Sequence, residues 1–231
     1  MSSLNVAAFK ALLFGNQTLE DLAIDVETPS QRVSASTLKQ LVNAQSYLRQ
    51  NDEEEAVKCL KSICASTDAG TRPKLWSWFN LRRFGILPEA SDGAVVRGVV
   101  LEVRVKGGVD VLAAYEDHSA RYLNYTGKLI AWDLGDQEID GLCKNALLVA
   151  GRVLEFSTKD YTENPQLSLL RVTLLTFNGN HRIEGDPNAS TPGNAILGQL
   201  LKGGAMLMNA LINRTKTMNA LVQPPPGSGR R

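Results

Sequence analysis

The sequence predicts an α+β protein in which a helical N-terminal region precedes a mainly antiparallel sheet of about six strands covered by helices. Three observations carry this reading. Residues 1 to 85 place apolar side chains at helical spacing between capping residues. Ala94 to Asp133, AVVRGVVLEVRVKGGVDVLAAYEDHSARYLNYTGKLIAWD, alternates strand-forming runs with turn residues and reads as a four-strand meander. Further on, Leu167 to Phe177 is a strongly apolar run that ends in Asn178-Gly179, the signature of a tight hairpin.

The helical elements follow in order. Phe9 with Leu13, and Ala8 with Ala11 and Leu12, are i,i+3/i+4 neighbours in a segment that stops at Gly15. Thr18 to Asp21, TLED, has the spacing of a capping box, and DVETPSQRV after it reads as a loop. Ser34 or Ser36 caps a helix with Leu38, Leu41, Val42 and Leu48 on its apolar side. That helix ends near Asn51, which is expected to cap the next one. The second helix carries Asp52 to Glu55 in its first turn, where the helix dipole favours negative charge, and buries Ala56, Val57, Leu60, Ile63 and Cys64. So short a joint predicts an antiparallel helical hairpin. Thr71 to Gly85 is a third helix with Leu75, Trp78, Phe79 and Arg82 on one side. Its mixture of rings with Lys74, Arg82 and Arg83 is what stacking on bases and pairing with phosphates would use, but packing against the next region accounts for the same residues.

Pro88 to Gly93, PEASDG, is the expected linker, which divides the chain into a helical domain (1–87), a sheet domain (93–217) and a Pro/Gly-rich tail (218–231) read as disordered. In the meander, Lys106-Gly107-Gly108, Glu116 to Ser119 and Tyr125 to Lys128 are the turns. Val99, Leu101, Val103 and Val105 give the first strand an apolar face, and Glu102, Arg104 and Lys106 make the other face wet toward its end. Asp136 caps a helix from Gln137 to about Phe156 with Ile139, Leu142, Cys143, Ala146, Ala150 and Val153 along one stripe. STKDYTENPQ is a polar loop, and the hairpin after it runs to HRIEGD. The last helix follows Ser190-Thr191-Pro192, with Gly204 on its apolar face permitting close backbone approach.

Function is less legible. Lys and Arg total 25 against 24 Asp and Glu, so no nucleic acid and no anionic surface is expected as a partner. Cys59, Cys64 and Cys143 have neither the number nor the spacing of a disulfide framework or zinc site, and no secretory leader is read at the N-terminus, so the expected location is cytoplasmic. The sequons at Asn16, Asn124, Asn188 and Asn213 carry no weight without such a leader. No P-loop, dinucleotide, zincin or nucleophile-elbow motif occurs, and no catalytic residue, metal ligand or cofactor is assigned. His118 and His181 are both expected in turns, and Asp117-His118-Ser119, although it contains the letters of a triad, places neighbours that point apart. Glu102, Glu116 and Asp117 are expected as solvated surface charge.

The reading is therefore a non-enzymatic protein-interaction or scaffold protein, with a protein partner or a second copy met by the sheet edge or by the last helix. On that helix Leu197, Leu201, Leu207, Met208 and Leu211 share a face, while Lys202 and Gly203-Gly204 argue against a membrane span. One alternative is a ligand-sensing module whose groove is formed by Tyr115, Tyr122 and Trp132 on the sheet. The other is an enzyme of a class without a recognisable motif.

Overall fold

The computed structural model describes residues 34–159 and 169–222, with side chains as far as Met218. The expected segments around Phe9 to Leu13 and Thr18 to Asp21, the loop before Ser34 and the tail after residue 222 lie outside the described residues.

Helices α1 (Ala35–Gln50) and α2 (Glu53–Ala65) pack as the expected pair. Ser34 caps α1, its hydroxyl accepting from the Thr37 N–H at 3.2 Å. The joint corrects the sequence reading. Asn51 closes α1 instead of opening α2: it sits in the left-handed region at φ 57° and donates its N–H to the Leu48 carbonyl. Asp52 is the N-cap of α2 and accepts from the Glu55 N–H at 3.3 Å. Asparagine suits both ends of a helix, so residue type alone could not say which end it serves.

Helix α3 (Thr71–Arg83) is buried on more sides than its expected stripe. Trp76 and Leu81 join Leu41, Leu60 and Ile63 in the helical core, whereas Leu75 packs on the sheet with Tyr115, Leu175 and Phe177. The helix is a shared layer between two cores. The stretch expected as a linker contains a single helical turn, α4 (Ala90–Gly93), and it is packed: the Gly93 carbonyl accepts from the Asn178 N–H at 3.0 Å, and a Cβ at Gly93 would fall 2.6 Å from Asn178 Nδ2.

The sheet comprises β1 (Val96–Val105), β2 (Gly108–Tyr115), β3 (Ala120–Leu123), β4 (Leu129–Trp132), β5 (Thr158–Lys159), β6 (Leu170–Thr176) and β7 (Gly179–Gly185). Its order is β4-β3-β2-β1-β6-β7-β5, with every neighbouring pair antiparallel. The strand beyond the expected six is β5. It pairs Thr158 with Arg182 inside what reads as a polar loop, because two residues are too few to show an alternation. His181 also belongs to a strand and not a turn, facing Leu174 in the register of β6 and β7.

Helix α5 (Gln137–Val153), extended by a 3₁₀ turn over Leu154–Phe156, buries the predicted stripe of Ile139, Cys143, Ala146, Ala150 and Val153. Helix α6 (Pro192–Val222) lies beside α5. Together they cover the sheet face formed by Val99, Leu101, Leu112, Ala114, Val172 and Leu174. Gly204 makes the close approach expected of it, since a Cβ there would fall 2.5 Å from Leu101 Cδ1.

Candidate functional site

The sheet is open, so it has two edge strands: β5, two residues long, and β4, four residues long. The hydrogen-bond pattern of the β3–β4 hairpin decides which backbone groups β4 turns outward. Asn124 donates its N–H to the Lys128 carbonyl at 3.0 Å, which makes 124 and 128 a hydrogen-bonded pair. Antiparallel pairs alternate between bonded and non-bonded. In the observed register, Tyr122 with Ile130 and Ala120 with Trp132 are therefore bonded, while Leu123 with Leu129 and Arg121 with Ala131 are not. The N–H and C=O of Leu129 and Ala131 accordingly point away from the sheet, and among the described residues they meet no hydrogen-bond partner. Leu129 and Tyr125 in the preceding turn are both exposed.

This edge is held extended from three directions. At its start, Asn124 Oδ1 accepts from the Thr126 N–H at 3.1 Å, the Thr126 hydroxyl at 2.8 Å and the Lys128 N–H at 2.9 Å, while Gly127 supplies φ 87°. Asp110 of β2 reinforces the hairpin, accepting from the Tyr125 N–H and the Tyr122 hydroxyl, both at 2.9 Å. At its far end, Arg121 grips Asp133 through two parallel bonds of 3.0 Å and also donates to the Trp132 carbonyl at 3.3 Å. A bidentate pair fixes geometry as well as charge. Behind the strand, Ile130 and Trp132 pack into the core beneath α5 and α6.

The predicted groove residues divide between the two faces. Tyr122 and Trp132 are buried under α5 and α6, whereas Tyr115 is buried on the opposite side against Leu75 and Phe177. No single groove can contain all three, because Tyr115 and Tyr122 have opposite parity on adjacent strands. Burial and the bond to Asp110 push the Tyr122 phenol up to about 12. Of the predicted interaction-helix residues, Leu197, Leu207 and Leu211 are fully buried against the sheet, and Leu201 and Met208 are half-buried on the same core. By length and composition α6 is long and apolar enough over Pro192–Met218 to cross a membrane, and here its apolar face packs on the sheet.

Of the face expected to turn wet toward its end, Arg104 and Lys106 are exposed, but Glu102, expected as solvated charge, is buried. Glu102 is 1% exposed and Arg171 is 5% exposed. Arg171 Nε donates to Glu184 Oε1 at 2.7 Å and its Nη1 lies 3.7 Å from Glu102 Oε2, while Arg182 Nε lies 3.3 Å from the same Glu184 oxygen. Alternation marks a face as polar, but whether that face meets water depends on what packs over it. The other two carboxylates lie in the β2–β3 turn, away from Glu102. Glu116 pairs with Arg97, and Asp117 accepts from the Thr71 N–H at 2.7 Å and the Ser119 hydroxyl at 2.6 Å. The triad letters form no relay, since Ser119 bonds Asp117 and His118 instead faces Asp140 at 3.6 Å. Burial raises the Cys64 thiol to about 12 and also raises Cys59, so neither resembles an activated nucleophile. Among the described residues, no three His, Cys, Asp or Glu side chains converge as a metal would require.

The sequence reading places the fourth strand of the meander here and names a sheet edge as a contact, but it does not show that this strand lies outermost, which is a property of sheet order. No family model, curated protein or solved structure matches the chain.

Proposed function

We propose that the chain is a protein-interaction module that accepts an extended strand along the outer edge of β4. The observation that carries this reading is the pair of outward peptide groups at Leu129 and Ala131, held in strand geometry yet without partners among the described residues. Strand addition uses such an edge directly, with main-chain bonds supplying affinity and neighbouring side chains selectivity. Binding is favoured over catalysis because Glu102, Glu116 and Asp117 are each held in separate local contacts, Glu102 by Arg171 on the sheet and the adjacent Glu116 and Asp117 by Arg97 and Thr71. A cytoplasmic setting is proposed with it, on the three free thiols.

Ala131→Pro tests the reading. It removes an N–H that bonds nothing in the isolated protein, and proline is tolerated on an edge strand at such a position. Retention of partners by the immobilised full chain from its native host is expected to fall at least about ten-fold, as the loss of main-chain bonds across an interface implies. An unchanged set of retained partners would remove the β4 edge from the interaction.

A further inference from the structure

The β4 edge has a property beyond being open: it is self-complementary. We infer that the strand it accepts is β4 of a second copy of this chain, an inference that rests on the strand-addition reading above. Turned about a two-fold axis at Ile130, two antiparallel copies place Leu129 of one against Ala131 of the other, and the reverse. These are the residues whose peptide groups point outward. Each free N–H then meets a free C=O across the axis, and no outward group within the strand remains unpaired. Ile130 and Trp132, whose peptide groups are committed to β3, fall at the non-bonded positions, as the alternation of an antiparallel ladder demands.

The side chains agree with this register. Leu129 comes opposite Ala131 of the other copy, large against small, and Ile130 comes opposite its own symmetry mate. Lys128 faces the other copy's Trp132, so no charge opposes a like charge across the strand pair. Asp133, just beyond the strand, is already neutralised by Arg121. The axis runs perpendicular to the sheet, and the α5 and α6 layers of the two copies consequently lie on the same side of one continuous sheet.

The contact is short and its affinity correspondingly modest, so the decisive measurement is sedimentation velocity of the full chain over a wide concentration range. Wild type is expected to pass from monomer to dimer with concentration. Ala131→Pro is expected to move the midpoint at least about ten-fold higher, since it removes a main-chain bond from each copy. Leu129→Lys provides a second test at an exposed side chain, with the same expected direction. Circular dichroism must show both variants folded as wild type; if one does not fold, the other decides. A wild type that stays monomeric at every concentration, or a dimer indifferent to both substitutions, overturns the inference. The two readings can fail separately: a monomer whose partner retention still depends on Ala131 leaves strand addition standing and discards the second copy. A monomer whose retention ignores Ala131 discards both.

Discussion

Tyr122 shows how one buried polar atom serves both the fold and the candidate edge. Its ring lies in the core under α5 and α6, and its hydroxyl donates to Asp110, which also holds the backbone of Tyr125. Tyr122→Phe is expected to cost about 1 kcal/mol, the usual net worth of such a bond, measured by denaturant unfolding. The same residue predicts a pH dependence. An unfolded tyrosine ionises near pH 10, whereas the folded phenol is held neutral to about 12 by burial and by Asp110. The folded state keeps the proton that the unfolded state has released. This contribution is therefore complete below pH 10 and is lost as pH rises toward 12. A wild-type stability curve that does not fall more steeply than that of Tyr122→Phe across this range would contradict the assignment.

Within α6, the adjacent glycines Gly203 and Gly204 face different surroundings. The nearest atom to a Cβ at Gly203 is Asn145 Nδ2 at 3.8 Å, ordinary contact, while at Gly204 Leu101 Cδ1 lies at 2.5 Å and Leu112 Cδ2 at 3.3 Å. Alanine improves helix propensity at both by about 1 kcal/mol. At Gly203 nothing opposes that gain, so Gly203→Ala is expected to stabilise by about 0.5 to 1 kcal/mol. At Gly204 the added methyl overpacks a core that already holds Leu101 and Leu112, a cost of about 1 to 3 kcal/mol, so Gly204→Ala is expected to destabilise on balance. Thermal unfolding of the two variants checks the opposite signs. A close approach at Gly204 was legible in the sequence through its position on the apolar stripe; that the approach is to β1, and that Gly203 is free, was not, since both depend on how the sheet and α5 lie alongside.

At the scale of the whole molecule, α3 joins the helical core to the sheet. Trp78 packs on Phe177 with ring centroids 5.9 Å apart, Arg82 donates to the Phe177 carbonyl, and Thr71 and Asp117 exchange bonds of 2.7 and 3.1 Å. Arg97 lies over the Phe177 ring at 5.0 Å and pairs with both Asp92 and Glu116, tying α4 to the β2–β3 turn. Phe177 stands at the centre of these contacts. Its replacement by alanine is expected to cost about 3 to 5 kcal/mol, the range for a large ring removed from a core. Because the lost contacts belong to the joint, calorimetry of Phe177→Ala is also expected to separate a single cooperative transition into two. One transition with an unaltered shape would show that the joint does not couple the two cores.

Local patterns in the chain determined most of the elements. The meander, its glycine turns, the stripe of α5, the Asn178-Gly179 hairpin and the paired α1 and α2 all follow from spacings of 2 or 3.6 and from capping residues, which act between near neighbours. Tertiary structure decided the rest. Whether Asn51 ends one helix or begins another, and whether Glu102 and Arg171 meet water, depends on packing from distant parts of the chain. The division of Tyr115 from Tyr122 and Trp132 follows from strand register, and the outermost place of β4 from the order in which strands join. Register and order are set by which long-range pairings bury the most apolar surface, a comparison no local window of sequence contains. The candidate edge is of this second kind: its residues are ordinary, and its open peptide groups exist only because no further strand of this chain pairs beyond them among the described residues.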